Sequence, residues 1–268
     1  MMAFYLRDQH VQNVSLDAEA LTQVNCVFAE RFAQLQADLN ESMPQEKRAF
    51  FTYIIRFDNK GYRVFSLDEL MRYFNQAREV ERIIFTVESG DATSSNRSIG
   101  AFLELCLDIK EPARCVLVAS SDNKDWAEAS FAAVHEVLAK CRTRYGIARS
   151  PWTSLGVQIF GVVVCFIASL WLAFKIAPNL MIENSFVIAF LFTLLVFSNI
   201  WGYLNQALLG FIAKVFPNIE FVRPAKARLH WLLQAIVGSA AFAIVVYFLG
   251  VAFSFLSKFL SGFFNIGA

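Results

Sequence analysis

The sequence predicts an α+β domain followed by an all-α membrane domain of three transmembrane helices. Three apolar runs without a charged side chain follow residue 150, at about 155–174, 185–204 and 231–257. Before them, strand and helix patterns follow the order α-ββ-α-βββ-α. This order is typical of an antiparallel sheet of about five strands with helices on one face. The predicted domains are therefore 1–150, a cytoplasmic sensing or interaction domain, and 151–268, the transmembrane domain.

The first predicted element is a long amphipathic helix at 15–40. Apolar side chains recur there every three or four residues from Leu21 to Leu39, which places them on one helix face. That face is expected to pack on the sheet of its own domain. Because some of these side chains also repeat every seven residues, a helix of another subunit is the alternative partner.

A β-hairpin is predicted next, at 50–65, from an aromatic and β-branched run followed by the turn sequence Asp58-Asn59-Lys60-Gly61. Gly61 is expected to supply the positive φ that such a turn needs. Ser66 and Glu69 then form a capping box for a helix that should end before Arg82.

Three further strands are predicted at 82–88, 100–108 and 115–119. Asp125 is expected to cap the last helix of the domain, and Gly146 to stop it after about Tyr145. Only a short linker separates this helix from the first apolar run. A rearrangement of the domain could therefore be transmitted to the membrane.

The three apolar runs fit a bilayer in length. At about 1.5 Å per residue the first two reach about 30 Å, and the third exceeds the hydrocarbon core. Lys and Arg are concentrated in 140–149 and in 214–228, which the positive-inside rule places in the cytoplasm. The prediction is a multi-pass inner-membrane protein with a cytoplasmic N-terminus and an outside C-terminus, and the lipid bilayer is its first partner.

Charge narrows the function classes. Residues 1–150 carry 18 basic and 21 acidic side chains, and residues 151–268 carry 6 and 2. A mildly acidic domain does not offer the broad basic face that binds a nucleic-acid duplex. No Asp, Glu, Lys or Arg lies inside the three runs. This disfavours proton relays, voltage sensors and ion-coupled transporters, which use such groups.

Motifs for catalysis or metal binding are missing from the sequence. It contains no HExxH, GxSxG, Walker or GxGxxG pattern, and His10, His135 and His230 are far apart. We therefore expect no catalytic residue, metal or cofactor, and a protein that is not an enzyme. The five cysteines form no CxxC pair and are expected to be reduced thiols.

The most polar segment is 89–98, with the sequence SGDATSSNRS. Its hydroxyls and its arginine could hold a phosphate, so Ser94, Ser95 and Arg97, with Lys124, are the candidate ligand-binding residues for a nucleotide or oligonucleotide. The alternative is a flexible connection between two strands.

The third apolar run carries small and hydroxylated side chains at spacings of four and seven. Such side chains let helices approach closely, or form polar rings in a pore. A pore would require a homo-oligomer, since three spans cannot enclose one. The candidate pore-lining or helix-packing residues are Ser239, Ala243, Tyr247, Gly250, Ser254, Ser257 and Ser261.

Two alternatives stay open between the second and third runs. The stretch 207–216 either continues the preceding helix or lies flat on the membrane. Arg223, Lys226 and Arg228 either meet anionic headgroups or contact the acidic domain.

These features favour a homo-oligomeric inner-membrane effector, a ligand-gated pore or channel controlled by its cytoplasmic domain. The alternative is a membrane-anchored scaffold or adaptor whose domain docks a partner protein. The layout resembles that of membrane-spanning effectors of bacterial anti-phage defence systems, in which a cytosolic sensing domain joins a few spans and activation permeabilises the membrane. This resemblance of architecture implies antiviral defence, with a nucleotide or oligonucleotide as ligand.

Overall fold

The computed structural model describes residues 5–38 and 48–223, together with seven separate residues of the third apolar run. The chain divides into two compact units, residues 1–223 and 224–268. The first unit contains a sheet-and-helix domain, called here the N-terminal domain, and two long apolar helices.

An antiparallel sheet forms the centre of the N-terminal domain, as the sequence predicts. Its strands are β1 (Tyr5–His10), β3 (Phe50–Phe57), β4 (Lys60–Val64), β5 (Val80–Glu88), β6 (Phe102–Asp108) and β7 (Val116–Ser121). They lie in the order β1-β7-β6-β5-β3-β4, and every neighbouring pair is antiparallel. The edge strand β1 is an addition to the five strands predicted. A separate parallel pair joins β2 (Val14–Leu16) and β8 (Ile219–Phe221).

Helices pack on the sheet and bury its apolar side chains. They are α1 (Ala18–Asp38), α2 (Leu67–Gln76) and α4 (Lys124–Lys140), and a short helix, α3 (Gly90–Ser94), connects β5 to β6. Alternate residues of the central strands, such as Phe85 and Leu105, are completely buried in this core. Ser66 caps α2 through its Oγ, which accepts the backbone N–H of Glu69 at 3.3 Å. The predicted amphipathic helices are therefore confirmed.

The hairpin turn differs from the prediction. Phe57 pairs with Lys60, so the loop consists of Asp58 and Asn59, which have φ values of 49° and 63°. Asp and Asn adopt this left-handed conformation more readily than most residues. Gly61 lies within β4 opposite Arg56, and its φ is not positive. The positive φ expected at Gly61 was wrong, because the loop has two residues.

The ends of α4 also differ. Asn123 is the cap, since its Oδ1 accepts the N–H groups of Asp125 at 3.0 Å and Trp126 at 3.2 Å. The helix ends at Lys140, before the predicted stop. Gly146 packs instead against the side-chain amide of Asn13, and a Cβ at Gly146 would overlap that amide. The small size of Gly146 therefore serves packing.

Two long helices follow, α5 (Pro151–Ile176) and α6 (Ser185–Val215). Both are long and apolar enough to cross a membrane, and the 31 residues of α6 reach about 46 Å. The stretch 207–216 thus continues the second helix to Val215. In the third run Ser239, Ala243 and Tyr247 are helical. The continuous third span lies outside the described residues, as do Gly250, Ser254, Ser257 and Ser261.

The two long helices pack antiparallel as a pair, called here the apolar hairpin. Three small residues on one face of α5, Gly161, Ser169 and Ala173, are buried in the contact. The indole of Trp201 lies directly on Gly161, and Thr193 Oγ1 donates a hydrogen bond to the Ser169 carbonyl oxygen at 3.3 Å. Such small side chains allow close backbone approach, which favours helix association in lipid.

Candidate functional site

The chain returns to the N-terminal domain directly after the apolar hairpin. α6 ends at Val215, and β8 then pairs in parallel with β2, with Ile219 opposite Val14. The side chain of Ile219 is completely buried and belongs to the hydrophobic core of the domain. The three residues of β8 follow the second apolar helix. They complete the fold of a domain that precedes the first apolar helix.

Asn218 is the polar centre of this attachment, and its side chain is buried. Its Oδ1 accepts the backbone N–H of Asn13 at 3.0 Å, and its Nδ2 donates to the carbonyl oxygen of Val11 at 3.1 Å. The carbonyl oxygen of Asn218 accepts the N–H of Val14 at 3.1 Å. Because unpaired buried polar groups are costly, this amide fixes the position of the chain leaving the hairpin.

Arg223 fastens the end of the same segment to α2. Its guanidinium donates hydrogen bonds to the carbonyl oxygens of Ala77 and Arg78, the second at 2.6 Å. A cation is favourable there, since the last carbonyl groups of a helix carry partial negative charge. Phe221 adds an edge-on contact with Phe74, with ring centroids 6.2 Å apart. The sequence left two roles open for Arg223, contact with anionic headgroups or with the acidic domain. In the structure it contacts the N-terminal domain.

Asp58 contributes to the electrostatics of this region. Its carboxylate accepts the backbone N–H groups of Arg78 at 3.0 Å and Glu79 at 2.9 Å. The hydrogen bond from Arg78, then that from Glu79 and the charges of Arg78 and Arg223, hold the pKa of Asp58 below its ordinary value, against the effect of burial. The β3–β4 turn, the end of α2 and the segment after the hairpin are thus linked.

The first end of the hairpin is attached through the chain between α4 and α5. The N–H of Thr143 donates to the carbonyl oxygen of Asn13 at 2.7 Å, and the N–H of Ser15 donates to that of Cys141 at 3.0 Å. Asn13 and its neighbours therefore contact both attachments. We call residues 13–16, 141–143 and 218–222 the junction.

The predicted ligand-binding residues lie near the end of β5. Arg97 forms ion pairs with Glu88 and Glu104, and its Nε lies 2.6 Å from Glu88 Oε1. Burial would lower the pKa of Arg97, but the hydrogen bonds and charges of the two glutamates outweigh it and raise the pKa. The Ser94 and Ser95 hydroxyls donate to the Asp91 carbonyl oxygen, at 3.2 and 2.6 Å. A phosphate at Arg97 would have to displace two carboxylates.

Lys124 is not part of that cluster. It begins α4, and its ammonium lies 5.7 Å from the centroid of the Tyr5 ring. The structure therefore brings Ser94, Ser95 and Arg97 together through one short helix and turn, and it places Lys124 in a different set of contacts.

A shallow depression occupies the sheet face opposite the buried core. It has a volume of about 230 Å³ and is lined by Thr52, Ile54, Ile84 and Thr86, with Arg97 and its two glutamates at one side. Phe50 and Phe65 are 44% and 70% exposed beside it. Apolar side chains beside satisfied charges are typical of surfaces that bind proteins.

Comparison with known proteins adds no relative to this geometry: no protein-family model, no curated protein and no solved structure matches the chain.

Proposed function

We propose that this protein is a homo-oligomeric inner-membrane effector, a ligand-gated pore or channel controlled by its N-terminal domain. One observation carries the proposal: both ends of the apolar hairpin are built into that domain at the junction. A domain that is joined to a span at one point can swing freely about its linker. A domain joined at both ends moves the hairpin whenever residues 13–16 move.

The same observation supports the proposed topology. Two crossings return the chain to the side from which it started, and β8 pairs with β2 of the domain that precedes the first crossing. Lys140, Arg149 and Lys214 lie at that side and favour the cytoplasm by the positive-inside rule. A third crossing at 231–257 then puts the C-terminus outside.

Polar side chains of the third run would line the pore, with Ser254 and Ser257 among them, because the hairpin faces that meet each other are already filled by packing. Partners in this proposal are the bilayer, further copies of the chain and a phosphorylated ligand such as a nucleotide or oligonucleotide. An antiviral role follows from the resemblance in architecture and is part of the same proposal.

The second candidate function is a membrane-anchored scaffold that docks a partner protein. The depression on the exposed sheet face favours it, since Phe50 and Phe65 offer apolar surface beside the Arg97 cluster. In this case the spans hold the domain in place and conduct nothing.

The test combines stoichiometry with current. The full-length protein is purified in nanodiscs, its copy number is determined by mass, and the same preparation is fused into planar bilayers. Ser254→Asp and Ser257→Asp are compared with Ser98→Asp, which adds the same charge in the N-terminal domain. The pore proposal expects three or more copies and a conductance that changes only in the first two variants.

A silent monomer or dimer would sink the pore proposal. Capture of a defined partner that is lost on Phe65→Ser, with no current under any condition, would establish the scaffold instead.

A further inference from the structure

A second concave site lies next to the junction, between the edge strand β1 and the C-terminal half of α4. Its volume is about 160 Å³, and its polar lining consists of Gln9, His10, Gln12, His135 and Arg142. The groove forms because β1 pairs with β7, and α4 packs over both strands. His10 and His135, which are 125 positions apart in sequence, are both among its lining residues.

The polar part of the lining consists of hydrogen-bond donors and a cation, and the rest is apolar: Val11, Val14, Leu117, Leu138 and Ala139. Imidazole, amide and guanidinium groups can all donate to an oxyanion, and no Asp or Glu is among the lining residues. Arg142 forms no ion pair within the part of the chain that the structure describes. The groove therefore presents the positive charge of Arg142, which is paired with no acidic side chain of the described residues, and hydrogen-bond donors lie beside it.

The acidic side chains nearest along α4 are already engaged. Glu128 accepts hydrogen bonds from Tyr5 and Arg7. Glu136 is paired with Lys140, at 2.9 Å. Neither carboxylate is left to neutralise Arg142, so the charge of the groove is available to a ligand.

The size of the groove limits what can enter it. The groove has a volume of about 160 Å³, which is more than a single water needs. A phosphate group fits this space, and its oxygens match the fork geometry of a guanidinium. The remainder of a larger ligand would extend out of the groove.

We propose that this groove binds a phosphate group, carried either by a free phosphorylated ligand or by a lipid headgroup. The proposal deepens the proposed function by naming the ligand class, and only its regulatory consequence rests on that function. The wall formed by Val11, Gln12 and Val14 continues into the junction, where Val11 and Val14 bond to Asn218. A phosphate in the groove would therefore lie against residues that are hydrogen-bonded to the chain leaving the apolar hairpin.

The test measures binding without reference to current. Full-length protein in phospholipid-free detergent is titrated with inorganic phosphate by calorimetry. In a second arm, the protein is incubated with phosphatidylglycerol, and native mass spectrometry counts the lipids retained. Arg142→Gln and His135→Gln are compared with Lys60→Gln, which removes the same charge as Arg142→Gln from β4, at the sheet edge opposite β1. Melting temperature and copy number of each variant are recorded as controls for folding.

Arg142→Gln is expected to weaken binding about tenfold or more, because a charge-assisted hydrogen bond is lost, while Lys60→Gln changes it less than about twofold. This pattern in the phosphate arm identifies a free ligand, and in the lipid arm a headgroup. Binding in neither arm, or an equal loss in Lys60→Gln, overturns the proposal. Binding without current would leave this site standing and remove the pore, and current without binding would do the reverse.

Discussion

The two attachments of the apolar hairpin differ in how they hold the chain. The first runs from α4 to α5 through backbone hydrogen bonds at Cys141 and Thr143, and Ile147 beside it is 79% exposed. The second places Ile219 in the core of the N-terminal domain, buries the amide of Asn218 and ties Arg223 to α2. The first attachment therefore consists of backbone hydrogen bonds beside an exposed connection, whereas the second contributes buried side chains to the core of the domain.

This difference shows that sequence order is a poor guide to mechanical connection. Pro151 follows the domain directly, yet the firmer contact is made by residues some 70 positions later. Both attachments converge on Asn13 and its neighbours, so the comparison can be tested by weakening each side separately.

Ile219→Ala is expected to have the largest effect. Deleting a fully buried Ile side chain beyond Cβ costs about 2–5 kcal/mol of the free energy of unfolding. Ile147→Ala makes the same chemical change at the exposed first attachment and is expected to cost less than about 0.5 kcal/mol. Thermal unfolding of the full-length protein, followed by near-UV circular dichroism, measures both. Equal shifts in melting temperature would contradict the claim that the second attachment is firmer than the first.

Asn218→Ala tests the polar part of the second attachment. It leaves the N–H of Asn13 and the carbonyl oxygen of Val11 without their partner, at a cost of about 2 kcal/mol. Asn199→Ala is the matched control, because among the described residues Asn199 donates only to the carbonyl oxygen of Leu195 in its own helix. If hydrogen exchange at residues 11–15 is no faster in Asn218→Ala than in the control, the amide does not hold the junction.

Gly161→Ala asks whether the hairpin itself is stiff enough for the attachments to act on it. A Cβ at Gly161 would overlap the Trp201 indole, so the indole or the helices must shift, at a cost of about 1–2 kcal/mol. Gly156→Ala adds the same methyl group on the same helix with no atom within 4 Å. Tryptophan emission and thermal unfolding should change in the first variant only, and a change in both would mean that the effect does not come from the contact between Gly161 and Trp201.

Ser150→Ala weakens the first attachment alone. The Ser150 hydroxyl accepts the N–H of Thr153 as the cap of α5, and its loss costs about 1 kcal/mol. We expect this variant to lower the melting temperature less than Asn218→Ala. The opposite ranking would reverse the relative strength assigned to the two attachments.

The smallest effect is expected from pH at Asp58. Because its pKa in the folded protein is lowered, its carboxylate stabilises the fold at pH values above the ordinary 3.8, and this contribution is lost as the pH falls through the folded value. Asp58→Asn removes that contribution. The difference in melting temperature between the two proteins should be present at pH 6 and shrink below about pH 4. A difference that does not vary with pH would mean that the carboxylate charge is irrelevant.

Much of the fold could be predicted because its signals are local. The hairpin at 50–65, the cap at Ser66 and the first two apolar runs are each encoded by residues close together in sequence, and the structure has all three. Of the predicted capping box, the structure has the bond from the Glu69 N–H to Ser66 Oγ. Strands β2 and β8 have three residues each, and nothing near them in sequence indicates that they pair. The hairpin contact was open to prediction, since Gly161, Cys165, Ser169 and Ala173 recur every four residues.

The junction and the groove could not be predicted, for a physical reason. Asn218 bonds to groups more than 200 positions earlier, and Gln9 and His135 line one groove only after the sheet has formed. No local sequence pattern distinguishes any of these side chains. The polar loop around Arg97 stood out because its composition is local, yet its arginine is engaged by Glu88 and Glu104.

The pairing of β2 with β8 also constrains how the protein is made. The ribosome adds about 5–20 residues per second, so the core of the N-terminal domain cannot be completed until the apolar hairpin and Ile219 have been synthesised. Until β8 arrives, β2 has no strand partner and the buried position of Ile219 is empty. A chain that stops before Ile219 therefore presents an incomplete core to chaperones and proteases.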